Sequence, residues 1–373
     1  MSCHIQVLQH AVDLSEIQAR SLTQYPYLLD SVAHHNELGR YSLLFAFPRS
    51  TIECMDKNRS GEFLEQLDTA IQQSRTDDDD VDLPFHGGWF VYLGYETVQG
   101  IEPSLNCRDF PYRYPVAFAA YCPACIIVDH KLSKTYCVVE DSEADLLTRL
   151  LRDAHSVTAV DTHPEKPVLM PREDDSDDYL AGVKRILEYI RSGDVFQVNL
   201  SRAWQLQSEQ TIEPSLLFRT LSQSNPAPFA CLVHHPMGNI ISSSPERLVR
   251  QVSDRIETRP IAGTRPRTHD GQDGQWLEEL RTDDKERAEH IMLIDLERND
   301  LGRVCIPGSI EVDELMTLES YAHVHHIVSN ISGHIRPGVS AIDVIRAVFP
   351  GGTITGCPKV RCMEILNELE NTG

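Results

Sequence analysis

The stretch 177–204, "DDYLAGVKRILEYIRSGDVFQVNLSRAW", changes its apolar period partway along. Leu180, Val183, Ile186, Leu187 and Ile190 recur at helical spacing and predict an amphipathic helix, with Asp177 or Asp178 as N-cap and Gly193 ending it. From Phe196 the period is two: Phe196, Val198 and Leu200 alternate with Gln197, Asn199 and Ser201, as in a strand with one polar face. Upstream of residue 160, "YSLLFAFP", "GGWFVYLGYE", "PVAFAAYCPACIIVD" and "KTYCVVED" are short apolar or alternating runs bounded by turn residues, and read as strands. Strands and helices are segregated rather than strictly alternating, which predicts an α+β fold.

The 373 residues suffice for one large or two ordinary domains. Acidic runs at 75–82 and 171–178 read as solvated loops, and the second follows a Pro-rich polar stretch, which marks a linker. A net charge of −22 argues against nucleic acid as a partner, because that binding needs a basic surface. No run approaches the roughly 18 apolar residues of a membrane span, and the N-terminus lacks the basic and apolar regions of a secretion signal. The expectation is a cytoplasmic protein with no membrane partner. Ten scattered cysteines read as reduced thiols, and Cys122-Pro-Ala-Cys125 has no second pair at zinc spacing.

Five stretches could carry chemistry. In "FPGGTITGCPKVRCMEILNELE" (349–370) a glycine-rich loop leads into a helix with Pro358 in its first turn and Val360, Met363 and Leu366 inward. Such a junction offers free N–H groups to a carboxylate or phosphate, or it only needs glycine's flexibility. It is not a P-loop, since Cys357-Pro358 stands where Lys-Ser/Thr is required. "KERAEHIMLIDLERNDLGRVC" (285–305) starts as a charged helix and ends at an Asn-Asp-Leu-Gly turn. There Glu286 and Glu289 share a face, suited either to a hard cation or to solvent-exposed salt bridges. "YAHVHHIVSN" (321–330) sets His323 and His325 on one side of a strand and His326 on the other. This suits a single proton-transferring histidine better than zinc, although plain packing remains open. "SSSPERL" (242–248) offers Glu246 after a turn, and "TRPIAGTRPR" (258–267) sets Arg259, Arg265 and Arg267 around Ala262, Gly263 and Thr264, suggesting an anionic partner.

Together with "SGDVFQVNLSR", these motifs stand in the order found in the chorismate-utilising enzymes, which the chain resembles from about residue 178 onward. The stretch before 160 resembles the N-terminal portion of the aminating members through "LLDSV", "GRYSLLFAFP" and "GWFVYLGYE". The resemblance implies a fold of two antiparallel β-sheets in a sandwich flanked by helices. It implies an N-terminal region over 1–160, an acidic linker over 161–177 and a chorismate-binding region over 178–373. It makes chorismate the substrate, Mg2+ the cofactor and Glu289 a metal ligand. It makes His326 the group that assists departure of the 4-hydroxyl, with Glu246 and Thr264 beside the substrate. Gly351, Gly352, Thr353, Gly356 and Lys359 match the loop beneath the substrate, and Ser31 and Tyr41 are candidates for a tryptophan pocket.

Two positions select among subfamilies. The water-adding members have a lysine base where this chain has Gln197, and an amide cannot serve as base at neutral pH, so ammonia is the expected nucleophile. Some aminodeoxychorismate synthases have a nucleophilic lysine where this chain has Ala262, which removes a covalent intermediate there and favours anthranilate synthase component I. The glycine-loop sequence, "DLERNDLGRVC" and the N-terminal opening instead favour aminodeoxychorismate synthase component I, and these distributed resemblances are given the greater weight. No glutaminase-type Cys-His-Glu set is visible, so ammonia is expected from a separate glutamine amidotransferase subunit. Family members continue past the position of Gly373 with strands and a helix bearing a second glutamate for magnesium. On that comparison the chain is expected to be truncated, and a binding protein without turnover is the alternative from another class.

Overall fold

The computed structural model describes residues 3–33, 39–74, 83–157, 168–173, 176–268 and 273–370. The acidic run 75–82 and most of the expected linker lie outside the described residues. Every strand pairing among the described residues is antiparallel, and ten α-helices accompany the sheets.

The largest sheet has seven strands, in the order Cys3–Leu8, Lys134–Glu140, Ala124–Asp129, Tyr41–Ala46, Tyr27–Asp30, Phe229–His235, Gly238–Ser244. Its last two strands come from the region after residue 178, so the expected boundary between N-terminal and chorismate-binding regions does not divide the sheet. One face packs Leu28, Leu44, Ile126 and Val139 against the helices Leu14–Arg20, Asp145–His155 and Pro214–Ser224. The other places Tyr27, Phe45 and Val233 against Phe90 and Phe118 of a three-stranded sheet, with the Tyr27 and Phe90 rings stacked 4.1 Å apart. The alternating runs of the first 160 residues thus form two-sided core. Cys122 and Cys125 are free and buried in it.

The remaining large sheet has five strands and carries the candidate chemistry. Val324–His334 pairs with Arg255–Thr258 and Ile261–Pro266, and also with Glu311–Ser320. The Asp284–Gly302 helix lies across it, capped by Asp283, whose carboxylate accepts from the Lys285 and Glu286 N–H groups at 2.9 and 3.2 Å. This helix runs through the Asn299-Asp300-Leu301-Gly302 segment expected to be a turn.

The 177–204 stretch departs most from its reading. The helix starts at Ser176, which puts Asp177 and Asp178 in its first turn rather than at the cap, and it ends at Ser192 before Gly193 at φ +83°. Of the expected stripe, only Ile186 is buried, while Leu180 and Leu187 remain exposed. The strand shrinks to Gln197–Val198, paired with Gly356–Cys357, and Phe196 is 71% exposed. Among the described residues no helix is long and apolar enough to cross a membrane.

Candidate active site

The Asp284–Gly302 helix acts as a spine along which the expected residues are distributed. Near its first turn, Glu286 pairs with Arg265 at 3.2 Å, in a network that also ties Arg265 to Glu279 and Asp283 at 3.0 Å each. Arg265 is therefore held by protein carboxylates rather than left free for an anion. Arg259 likewise contacts Glu314 and Glu319. Of the two readings of Glu286 and Glu289, Glu286 takes the salt bridge.

One turn further on, Glu289 accepts a hydrogen bond from the Gln197 amide at 3.1 Å, while the buried Gln197 Oε1 has no hydrogen-bond partner. Gly356, at φ +128°, permits this approach. A Cβ there would lie 2.1 Å from the Gln197 carbonyl oxygen, so only glycine lets the two strands pair.

At the helix's far end two acids are buried. Glu297 is 5% exposed, and burial first, then neighbouring Asp300, raise its carboxyl to about 7. Gly352 sits directly over it, because a Cβ there would meet Leu296 at 2.4 Å and Glu297 Oε1 at 3.4 Å. Asp300 is ion-paired with Lys359, whose ammonium also donates to the Val348 carbonyl at 3.3 Å. Lys359 thus ties the glycine loop and the Lys359–Leu369 helix to the spine. The loop's other anchor is Thr353: its hydroxyl donates to Glu246 at 2.7 Å and its carbonyl accepts from Asn199 at 2.5 Å. Burial also raises the Glu246 carboxyl to about 7.

The third component lies on the sheet. His326 Nδ1 is 3.2 Å from the Gly263 carbonyl and 3.1 Å from the Thr264 hydroxyl, across the bulge at Ala262–Thr264. A carbonyl can only accept, so Nδ1 carries the proton in that contact and Nε2 is the atom left to exchange one. Burial lowers the His326 pKa, opposed by the Gly263 contact and by Glu319. Ala262 is buried beside this bulge and offers only a methyl group. His325, on the opposite face of the strand, is buried against Ser320 at 2.7 Å, which is packing rather than catalysis.

The expected residues fall into three hydrogen-bonded groups: Gln197 with Glu289, Glu246 with Thr353, and Thr264 and Gly263 with His326. Gln197, Glu289 and Lys359 line a cavity of about 1310 Å³ that lies between the Asp284–Gly302 helix, the apolar side of the Ser176–Ser192 helix and the start of the Lys359–Leu369 helix. Ser31 and Tyr41 lie elsewhere, at a separate cavity of about 860 Å³ that Arg40, Arg247 and Arg259 also line. There the Ser31 hydroxyl bonds to the Tyr41 and Pro228 carbonyls at 2.8 and 3.0 Å.

Glu297, Asp300 and His290 are absent from the sequence-derived site. All three are buried in company with Leu293, Ile294 and Leu301 on one helical stripe. Polar residues falling on an apolar helical period were the signal that could have found them.

Among the described residues no group of three or more histidine, cysteine or acidic side chains is placed to hold a metal. The Glu289 carboxylate on the cavity wall nonetheless fits magnesium, which takes few protein oxygens and fills its shell with substrate and water.

Comparison with known proteins identifies the class to which this fold belongs, the chorismate-binding enzymes. Residues 24–373 match the family model described as chorismate binding enzyme, and the chain belongs to that family. It is 41% identical to an anthranilate synthase component I-like protein of Synechocystis, over 94% of this chain and 72% of that one. It is 37% identical to aminodeoxychorismate synthase component 1 of Bacillus subtilis, over 94% and 80%. The crystal structure of anthranilate synthase component I from Streptococcus pneumoniae superposes with a TM-score of 0.77 at 26% identity, covering 91% of this chain and 79% of that one.

Proposed function

We propose that the chain aminates chorismate at C4, as aminodeoxychorismate synthase component I, with ammonia supplied by a glutamine amidotransferase subunit. The observation that carries amination is Gln197 beside Glu289: the position presents an amide, which can accept a hydrogen bond from ammonia but cannot deprotonate water. Nitrogen bonds to C4 as the C4–O bond breaks, and the departing hydroxyl takes a proton and leaves as water. The His326 imidazolium, oriented through Nδ1 by Gly263, donates that proton from Nε2. Thr264 shares the orienting contact, and Glu246 holds Thr353 so that the glycine loop keeps its shape beneath the ring. Magnesium, held by Glu289 with the ring carboxylate and water, would neutralise that carboxylate and draw electron density from the ring. Tryptophan remains a proposed ligand of the cavity at Ser31 and Tyr41.

The assignment to C4 rests on the glycine-loop and "DLERNDLGRVC" sequences and on the "LLDSV" and "GRYSLLFAFP" opening. Ala262 favours a second reading, anthranilate synthase component I, since it supplies no nucleophile for C2 and leaves that carbon open to ammonia. Incubation with chorismate, magnesium and ammonium, followed by chromatography, separates the two. A 4-amino product converted by a lyase to p-aminobenzoate supports the proposal, free anthranilate supports the second reading, and unconsumed chorismate overturns both. Glu289→Gln is expected to raise the magnesium concentration needed for half-maximal rate about tenfold or more. An unchanged magnesium titration removes Glu289 from the role.

A further inference from the structure

The proposed mechanism gives no task to the buried group at Glu319 and Tyr321. Glu319 is the strand partner of His326. It is 9% exposed, yet both its oxygens are engaged: Arg259 donates to Oε1 at 2.6 Å and the Tyr321 hydroxyl to Oε2 at 2.6 Å. The Tyr321 ring meets the His326 imidazole edge to face, with centroids 5.8 Å apart and planes at 61°. Arg259 is fixed in turn by Glu314 at 2.7 Å, and the Tyr321 carbonyl accepts from Arg267 at 2.8 Å.

We propose that Glu319, clamped between Arg259 and Tyr321, is a positioning residue that holds the Tyr321 ring against His326 and so fixes the imidazole for proton transfer. Van der Waals contact with one ring edge and the Gly263 carbonyl together leave His326 a single orientation. Neither alone does so, because a lone Nδ1 contact permits the ring to swing.

Among the described residues, the charged and titratable groups around His326 begin with Tyr321, whose ring lies against it. The Ile261–Pro266 strand presents Thr264 and the Gly263 carbonyl, the neighbouring strand presents Glu319, and His325 adjoins it in sequence. Beyond Gly263 lie Glu286 and Arg265, paired with one another. Of these, Glu319 is the negative charge that favours the imidazolium, and His325 opposes it.

The inference rests on the role given to His326, so its test includes a readout independent of turnover. Histidine side chains labelled with nitrogen-15 are titrated by NMR in the intact protein, with the His326 signal assigned by its loss in His326→Gln. In Glu319→Gln, His326 is expected to titrate at lower pH than in the parent protein. Tyr321→Phe keeps the carboxylate charge and the ring but removes a donor from that charge, and is expected to move the titration by a smaller amount and to higher pH. Where chorismate is consumed, Glu319→Gln is expected to lower kcat about 10- to 100-fold with little change in KM, in line with other orienting carboxylates. The matching limb of the pH–rate profile moves to lower pH. A folded Glu319→Gln with an unmoved His326 titration overturns the proposal, as does Tyr321→Phe if Glu319→Gln does not fold and the phenylalanine variant titrates like the parent. Absence of chorismate consumption by the parent protein would instead count against the enzymatic reading, and the His326 titration in Tyr321→Phe, where the carboxylate charge is kept, still decides the positioning role.

Discussion

The seven-stranded sheet and the Ser176–Ser192 helix carry the same kind of apolar pattern with opposite outcomes. In the sheet, Leu28, Leu44 and Ile126 are fully buried, covered by helices on one side and by the aromatic face of a second sheet on the other. On the helix, Leu180 is 51% exposed and Leu187 44%, and the neighbouring Phe196 stands in solvent. Periodicity states which side of an element is apolar. It does not state what covers that side, because the covering surface comes from elsewhere in the chain or from another molecule.

The comparison is broken most severely from the covered side. Leu44→Asp places an unpaired carboxylate between two packed layers, where neither water nor a cation can reach it. The variant is expected to lose the cooperative unfolding transition altogether, as seen by near-ultraviolet circular dichroism in a denaturant series. Retained cooperativity would mean that the sheet is far less tightly covered than its exposure indicates.

Gly356→Ala tests the short strand pairing that follows the uncovered helix. Its backbone conformation is one that only glycine adopts at low cost, and the added methyl would meet the Gln197 carbonyl. A loss of more than about 4 kcal/mol is expected, the range reserved for such backbone conflicts. The loss concentrates in the Gln197–Val198 pairing and is read by hydrogen exchange of those amides.

The legible parts of the fold were those where local signals and coverage agree. The strands of the first 160 residues, the Gly193 stop and the glycine-loop helix follow from turn residues and periods. The joining of Phe229–Ser244 to the N-terminal strands did not, since nothing local in a strand specifies a partner some 200 residues away. The site divides in the same way. Motif order singles out Gln197, Glu246, Glu289 and His326, and the structure shows which neighbour each one meets. The pairing of Arg259 and Arg265 with protein carboxylates was hidden, because their partners lie on other elements.

Glu297 sharpens the comparison within a single helix, being a carboxyl in a covered position. Its pKa in the folded protein, about 7, lies above the ordinary value of 4.5. Its contribution to stability is therefore fully present below pH 4.5 and is lost as pH rises through 7. The loss amounts to about 3 kcal/mol. Glu297→Gln is expected to remove this component, so the urea midpoints of variant and parent converge at acidic pH and separate at pH 8, the variant higher. The burial-raised Glu246 leaves a similar slope in both proteins.

The smallest effect is expected from Leu187→Asp, the counterpart of the first substitution on the uncovered side. The side chain already meets water over much of its surface, so the carboxylate loses little hydration and no packed neighbour is displaced. What remains is the weaker helix propensity of aspartate and a small loss of apolar contact. Together these come to about 0.5 kcal/mol or little more. The same change should reduce binding of an apolar fluorescent dye, because Leu187 lines the cavity floored by Gln197 and Glu289. A destabilisation approaching that of Leu44→Asp would show that this helix face is covered in solution after all. The apolar period would then be reporting burial on both elements, and the contrast between them would vanish.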